Sequence, residues 1–232
     1  AGARLHSGVG VERVSFSAGG DSELLFDDGQ AATAERVLVA AGAWSGIQAL
    51  LPGVSEAASI RPVKGQIIEL RDPRLQQLLR HTLRCEEAYL VPRSGGRYAL
   101  GASVEELGFD TSVTAGVTFE LLRAARELVP DIDELQVEGT VVGLRPGTPD
   151  GLPLIGAGSV PGLFWGSGHY RNGVLLSGLT ADLICDQLTE NSSPADEYLT
   201  RAAELIGDGL SQAQIHTATL PTRFAKTVEA VV

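Results

Sequence analysis

Gly166-Ser-Gly-His-Tyr-Arg-Asn-Gly-Val-Leu-Leu-Ser177 is the stretch of sequence on which our interpretation of the fold rests. It follows a short apolar run, residues 162–165, that is typical of a buried strand. It leads into residues 174–188, where apolar side chains recur with a helical period, and Asn172 is a residue type expected at an N-cap. A helix N-terminus after a glycine-containing turn presents free N–H groups and positive dipole charge. The pattern therefore predicts a site for an anion or an electron-rich carbonyl, with an ordinary strand-to-helix turn as the alternative.

Three further segments accompany this stretch. They are Val37-Leu-Val-Ala-Ala-Gly-Ala-Trp-Ser45, Arg61-Pro-Val-Lys-Gly-Gln66 and Gly143-Leu-Arg-Pro-Gly-Thr-Pro-Asp-Gly-Leu-Pro-Leu-Ile-Gly156. Taken in chain order, the four segments resemble the C-terminal half of the glycine oxidase (thiamine-pathway type)/D-amino-acid oxidase family of FAD-dependent oxidoreductases. The resemblance covers roughly residues 1 to 190 and is most specific in the pair of motifs around residues 143–148 and 168–173.

The pattern of predicted elements changes twice along the chain. Residues 37–41 are continuously apolar, as in a parallel sheet, whereas residues 63–70, 88–92 and 97–102 indicate antiparallel strands and residues 114–129 an amphipathic helix. We also predict strands at 11–16, 23–26 and 137–144 and a short helix at 44–51. The predicted fold class is α/β plus α+β: part of an FAD-binding Rossmann-like domain, residues 1–57 and 151–190, interleaved with an antiparallel-sheet substrate domain, residues 58–150. Residues 191–232 would form a C-terminal helical extension.

Composition and charge exclude several classes of partner. The 232 residues are 44% hydrophobic and 20% charged, which is typical of a soluble globular protein. The formal net charge of −11 argues against nucleic acid and anionic membrane surfaces. Cys85 and Cys185 lack metal-ligand spacing, so we predict free thiols, no metal and a cytoplasmic location, with Cys185 on the apolar face of the last helix.

The resemblance implies a redox enzyme with non-covalently bound FAD. The implied reaction is oxidative deamination of glycine or another small amino acid to an imine and then an oxo acid, with ammonia and hydrogen peroxide as products. The partners would be the amino-acid substrate and dioxygen. Assembly into a homo-oligomer stays an open alternative. The alternatives are an oxidase of sarcosine or another N-methyl amino acid, a D-amino-acid oxidase, and a non-catalytic flavoprotein fragment.

Three side chains match substrate-binding positions of the family. Arg145 matches the arginine that binds the substrate carboxylate, Tyr89 a tyrosine whose hydroxyl assists it, and Arg171 a second arginine near the substrate. A guanidinium holds a planar carboxylate by two parallel hydrogen bonds, which lysine cannot do. The structural alternatives are a surface arginine beside a proline turn and a core tyrosine. The family's chemistry needs no acid–base side chain, so we predict no catalytic residue.

The cofactor positions implied by the resemblance act mainly through the backbone. N–H groups at the helix N-terminus would face the flavin ring where negative charge builds on reduction. His169 as a catalytic base is the less favoured alternative. The positions are Val9, His169, Tyr170, Arg171, Asn172, Gly173, Val174 and Leu175.

One part of the family pattern is absent from this sequence. The dinucleotide fingerprint GxGxxG does not occur in it. The glycine-rich segment Gly156 to Gly162 is not a match, because its spacing is GxGxxxG and Pro161 stands where a helix should begin. The sequence also contains no methionine. We therefore expect it to be a piece of a longer protein, and we expect the piece alone to hold FAD weakly.

Overall fold

The computed structural model describes residues 2–17, 21–74, 78–189 and 218–224. The chain separates into two compact units. Ala1–Arg61 and Pro146–Val232 form the first, which we call the split unit because two stretches of chain build it. Pro62–Arg145 form the second, which we call the inserted unit.

The split unit contains two three-stranded sheets. The first sheet is an antiparallel meander of β1 (Val11–Phe16), β2 (Ser22–Phe26) and β3 (Ala31–Ala34). The second has the order β10 (Leu154–Ala157), β11 (Leu163–Ser167) and β4 (Val37–Val39), with β11 antiparallel to β10 and parallel to β4. Helix α2 (Ser177–Thr189) follows β11. The parallel pair joins the two stretches of chain, because β4 comes from the first and β11 from the second.

The split unit has its main core around β4, β10 and β11. Trp165 and Leu154 are fully buried there, and the apolar alternation of the strands turns these side chains inward. A smaller cluster of Ile155, Leu183 and Ile184 packs α2 against β10. Phe224, from the C-terminal part of the chain, belongs to the main core.

The inserted unit is one five-stranded sheet covered by a helix. Its strand order is β6 (Leu83–Arg84), β7 (Tyr89–Pro92), β8 (Arg97–Gly101), β5 (Arg61–Arg71) and β9 (Gln136–Gly147). Strands β7 and β8 form a hairpin, and β8 is antiparallel to β5. Helix α1 (Ala115–Leu128) buries Leu121, Ala124 and Ala125 in the core of this unit, with Ile68 and Leu100 of the sheet. The opposite face of the sheet carries the side chains described in the next subsection.

Several local predictions differ from the structure. Residues 42–46 form a 3-10 turn where we predicted a helix over 44–51. Helix α2 begins at Ser177, five positions after the predicted cap Asn172, whose carbonyl accepts the N–H of Leu176. Cys185 is exposed and not part of the core, because α2 turns Leu183 and Ile184 inward instead.

Most of the predicted C-terminal extension lies outside the described residues. Of residues 191–232, the structure describes 218–224, which include a 3-10 turn, Pro221–Phe224. Within the described residues, no helix is both long and apolar enough to span a membrane.

Candidate active site

Arg145 and Tyr89 lie on the same face of the five-stranded sheet. Tyr89 pairs with Gly101, Gly101 pairs with Ile67, and directly opposed residues point to the same side of a sheet. Gly65 is two positions from Ile67 and shares its face. A Cβ at Gly65 would overlap the guanidinium of Arg145, and a Cβ at Gly101 would lie 2.6 Å from the Tyr89 hydroxyl. Arg145 therefore leans from β9 over β5, and Tyr89 leans from β7 over β8, on the face away from α1.

Backbone carbonyls hold the guanidinium of Arg145 in place. Its Nη1 donates to the carbonyl of Ser103 at 3.0 Å and to that of Lys64 at 3.3 Å. Because a guanidinium is planar and its donors form a fixed fork, two bonds from one nitrogen restrict the orientation of the whole group. The arginine is partly buried and attached to the sheet, unlike a freely rotating surface cation.

In the split unit, the two motifs that carried the resemblance contact each other. The N–H of Tyr170 donates to the carbonyl of Pro146 at 2.9 Å. Gly168 has a φ of +79°, and a Cβ there would lie 2.8 Å from Cγ2 of Thr148, so only glycine fits. Tyr170 has a φ of +52°, an uncommon conformation for a tyrosine. The turn before α2 is thus fixed by the segment that precedes β10.

Residues 173–175 combine backbone donors with exposed apolar side chains in the turn before α2. Val174 and Leu175 are 93% and 81% exposed, so neither side chain belongs to the core. Within the described part of the chain, the N–H groups of Gly173, Val174 and Leu175 donate to no carbonyl, whereas the next N–H, of Leu176, bonds to Asn172. Adjacent backbone donors and exposed apolar side chains in this turn match a ring that has carbonyl oxygens on its edge and apolar faces. The residues present therefore fit FAD.

The remaining predicted cofactor positions take different places in the split unit. His169 is partly buried, and its Nε2 lies 2.8 Å from Oγ1 of Thr180 on α2. Burial without a compensating charge lowers the pKa of His169 below its ordinary value of 6.5, so the ring is neutral at neutral pH. This contact gives the side chain a structural role on α2. Arg171 is exposed on the turn, and Val9 lies just before β1 with 40% exposure.

The glycine-rich turn 156–162 binds a carboxylate of the protein itself. The buried Glu56 accepts hydrogen bonds from the backbone N–H and the hydroxyl of Ser159, the latter at 2.8 Å. Within the described residues, no group of three His, Cys, Asp or Glu side chains could hold a metal ion.

Sequence reasoning assigned no individual role to four residues that surround Arg145 and Tyr89. Gly65 and Gly101 leave room for the two side chains, while Lys64 and Ser103 supply the carbonyls that Arg145 contacts. The signal for Gly65 and Lys64 was present in the motif at 61–66, where a lysine and a glycine interrupt an apolar strand. The contact of Ser103 with Arg145 could not be predicted, because it is made by a carbonyl that any residue type provides.

Comparisons with known proteins place the chain in a family. The family described as DAO: FAD dependent oxidoreductase matches residues 1–187. The chain is 40% identical over 165 residues to glycine oxidase of Geobacillus kaustophilus, an alignment that covers 70% of this chain and 43% of the relative. The crystal structure of that organism's glycine oxidase superposes with a TM-score of 0.73 at 37% identity, covering 82% of this chain and 50% of the other. Iminodiacetate oxidase from Chelativorans sp. BNC1 superposes with a TM-score of 0.70 at 28% identity, covering 80% and 49%.

These matches confirm the resemblance, the mixed fold class and the cofactor class predicted from the sequence. The chain spans less than half of the length of the glycine oxidase that it matches in sequence. The family match begins at residue 1 and ends two positions before the end of α2, so residues 188–232 lie beyond it. The chain belongs to the DAO family of FAD-dependent oxidoreductases.

Proposed function

We propose that the protein containing this chain oxidises a small amino acid with FAD. Glycine is the leading substrate, and the products are an imine that hydrolyses to the oxo acid and ammonia, together with hydrogen peroxide. In this proposal the split unit is part of the FAD-binding domain and the inserted unit is the substrate domain. The reaction would take place in the cytoplasm, the location that the predicted free thiols favour.

The single observation that carries this proposal is the pair of side chains that lean toward each other across β5 and β8. Arg145 and Tyr89 bring a guanidinium and a phenolic hydroxyl to one face of one sheet, each over a glycine. A guanidinium fork and a hydroxyl donor are complementary to a carboxylate, and the missing Cβ atoms leave room for these two side chains over the sheet. The carbonyls of Lys64 and Ser103 orient the guanidinium before any ligand arrives.

In the proposed mechanism, Arg145 fixes the substrate carboxylate and Tyr89 donates a hydrogen bond to the same group. Two anchoring points on one carboxylate restrict rotation, so the α-hydrogen is held in one direction. Arg171, on the turn before α2, is proposed as a further substrate-binding residue. FAD, when bound, would supply the two-electron oxidation of the α-carbon and the reduction of dioxygen.

The residues proposed to hold FAD act through backbone donors. The N–H groups of Gly173, Val174 and Leu175 would bind the electron-rich edge of the ring, while the exposed side chains of Val174 and Leu175 contact its apolar part. His169 and Tyr170 fix the turn through Thr180 and Pro146. Asn172 supports the same turn through its carbonyl, and Val9 is proposed as a backbone contact of the adenine.

The full-length protein with FAD bound tests this proposal. Glycine, sarcosine and D-alanine would each be mixed with it in the absence of oxygen while flavin reduction is followed. Methylamine serves as the matched amine because it lacks only the carboxylate of glycine. Losing a charged partner in a buried pair costs about 2–5 kcal/mol, so kcat/KM for the best amino acid should exceed that for methylamine by at least about thirtyfold.

Two results would contradict the proposal in different ways. Reduction by methylamine at the rate seen with the best amino acid would show that no carboxylate anchor operates. Flavin that stays oxidised with all three amino acids would favour the non-catalytic alternative. Faster reduction by sarcosine or D-alanine than by glycine would keep the mechanism and change the substrate.

A further inference from the structure

A lysine lies buried beside the proposed carboxylate anchor. The side chain of Lys64 is fully buried, which is rare for a lysine unless its charge is paired. Its Nζ donates to Oδ2 of Asp110 at 2.5 Å and lies 3.8 Å from Oε2 of Glu105. The hydrogen bond from Lys64 also lowers the pKa of the Asp110 carboxyl below its ordinary value. The ammonium therefore ties two acidic residues of the segment 103–110 to strand β5.

The backbone of Lys64 is part of the same arrangement. Its N–H donates to the carbonyl of Glu105 at 2.8 Å, and its carbonyl accepts from the N–H of Glu105 at 3.0 Å. That same carbonyl accepts from Nη1 of Arg145. The guanidinium of Arg145 is thus attached to the point where the segment 103–110 pairs with β5.

Ser103 links the second carbonyl to the network. Its hydroxyl donates to Oε1 of Glu105 at 2.6 Å and accepts from the N–H of Gln66 at 2.9 Å. The buried amide of Gln66 donates to the same carboxylate oxygen at 2.9 Å. Because the carbonyl of Ser103 also accepts from Arg145, both carbonyls that hold the arginine belong to residues of this network.

The network lies on the other face of the sheet from the proposed substrate. Side chains alternate along a strand, so Lys64 and Gln66 point to one face and Gly65 and Ile67 to the other. Arg145 and Tyr89 occupy the face of Gly65 and Ile67. The ammonium of Lys64 is thus directed away from the substrate, and any effect on the reaction must pass through the backbone.

We propose that Lys64 is a positioning residue for Arg145. Its buried ammonium forms ion pairs with Asp110 and Glu105, and these pairs fix the segment 103–110 on β5. The carbonyls of Lys64 and Ser103 then set the orientation of the guanidinium. This inference rests on the proposed role of Arg145 as carboxylate anchor.

The test is a double-mutant cycle in the full-length protein with FAD bound. The variants are Lys64→Met, Asp110→Asn, Arg145→Ala and the two double variants that contain Arg145→Ala. Acetate, a carboxylate without an amine, is the binding probe, and its Kd is measured from the change in the flavin spectrum. The second readout is kcat/KM for the best amino acid. Arg123→Met is the matched control, because Arg123 forms ion pairs with Glu120 and Glu127 on the exposed surface of α1.

Positioning predicts a defined pattern of results. Lys64→Met should weaken acetate binding at least about tenfold, Asp110→Asn at least about threefold, and Arg123→Met less than twofold, with Tm measured for each variant. Once Arg145 is alanine, Lys64→Met or Asp110→Asn should change kcat/KM less than twofold, because the group being positioned is gone. A role confined to stability would lower Tm but leave the acetate Kd unchanged, or would reduce kcat/KM by the same factor with and without Arg145.

The test distinguishes failure of the proposed anchor, Arg145, from failure of the positioning role of Lys64. If Arg145→Ala leaves acetate binding and kcat/KM unchanged, the proposed anchor is wrong. If Arg145→Ala weakens both but Lys64→Met and Asp110→Asn do not, only the positioning role of Lys64 is overturned. If Lys64→Met does not fold, Asp110→Asn decides alone, because the Asp110 side chain is 40% exposed and its replacement leaves no buried cavity.

Discussion

Gly65 has no side chain at the place where the guanidinium of Arg145 lies against β5. We expect Gly65→Ala to displace the guanidinium, because the atoms in its way are the far end of a flexible side chain. The predicted result is a fall of about tenfold in kcat/KM for the best amino acid, with a change in the free energy of unfolding below about 1 kcal/mol. Gly139→Ala on β9 is the control, since its Cβ would meet only Oε2 of Glu69, at 3.9 Å. Equal kinetics in both variants would contradict the close packing of Arg145 on β5.

A second prediction for a single residue concerns how His169 makes the stability of the protein depend on pH. Burial lowers its folded pKa below the ordinary 6.5, so below about pH 6.5 the unfolded chain binds a proton that the folded protein does not. Stability is therefore complete above pH 6.5 and falls as the pH drops through the folded pKa. We expect His169→Gln to lose less stability between pH 7.5 and pH 5.5 than the parent protein, measured by urea unfolding. An identical loss in both would show that His169 is not the titrating group.

At the scale of elements, the main prediction concerns Arg223 and the turn at 221–224 that contains it. This residue lies beyond the family match, and its guanidinium donates to both carboxylate oxygens of Asp150 at 2.8 and 3.1 Å and to the carbonyls of Leu152 and Pro153. Although burial raises the pKa of Asp150, the hydrogen bonds from Arg223 and from the N–H of Leu152 outweigh it and lower that pKa. The C-terminal turn is thereby fastened to the segment between β9 and β10.

We expect Arg223→Ala to lower the free energy of unfolding by about 1–3 kcal/mol, since charge-assisted bonds at a partly buried site are lost. Arg123→Ala, which removes only exposed ion pairs, should cost less than about 1 kcal/mol. Urea unfolding of both variants measures the difference. Equal costs would mean that the turn at 221–224 does not stabilise the split unit.

Elements with a strong period were predictable from sequence, and the start of α2 was not. The structure has α1 at Ala115–Leu128 and β5 at Arg61–Arg71, close to the predicted ranges, because their apolar residues face the core of one unit. Leu175 also matched a helical period, but it is exposed. Hydrophobic periodicity does not distinguish a side chain that packs in the core from one that faces solvent or a ligand, so the helix was predicted to start too early.

At the scale of the whole molecule, the motifs indicated the family, whereas the contacts behind them depended on the fold. Arg145 was identified from its motif, but the carbonyls that hold it come from Lys64 and Ser103, 81 and 42 positions away. The pair of Glu56 and Ser159 is separated by 103 positions. Such contacts depend on which loops meet after folding. A contact made by a backbone carbonyl cannot be recognised from the sequence, because every residue type carries that group. The sequence therefore singled out Arg145 as the proposed anchor but could not predict which groups orient it.

The measurement that tests the central claim most directly is flavin reduction in Arg145→Ala of the full-length protein, by the best amino acid in single-turnover kinetics. Removing the guanidinium from a buried carboxylate site costs about 2–5 kcal/mol, so kcat/KM should fall at least tenfold and by as much as several hundredfold. Arg145→Lys should recover only part of the loss, because an ammonium lacks the fork. The bound flavin spectrum should be unchanged in both variants. An alanine variant that keeps this spectrum and reduces its flavin at the parental rate at low substrate would contradict the account.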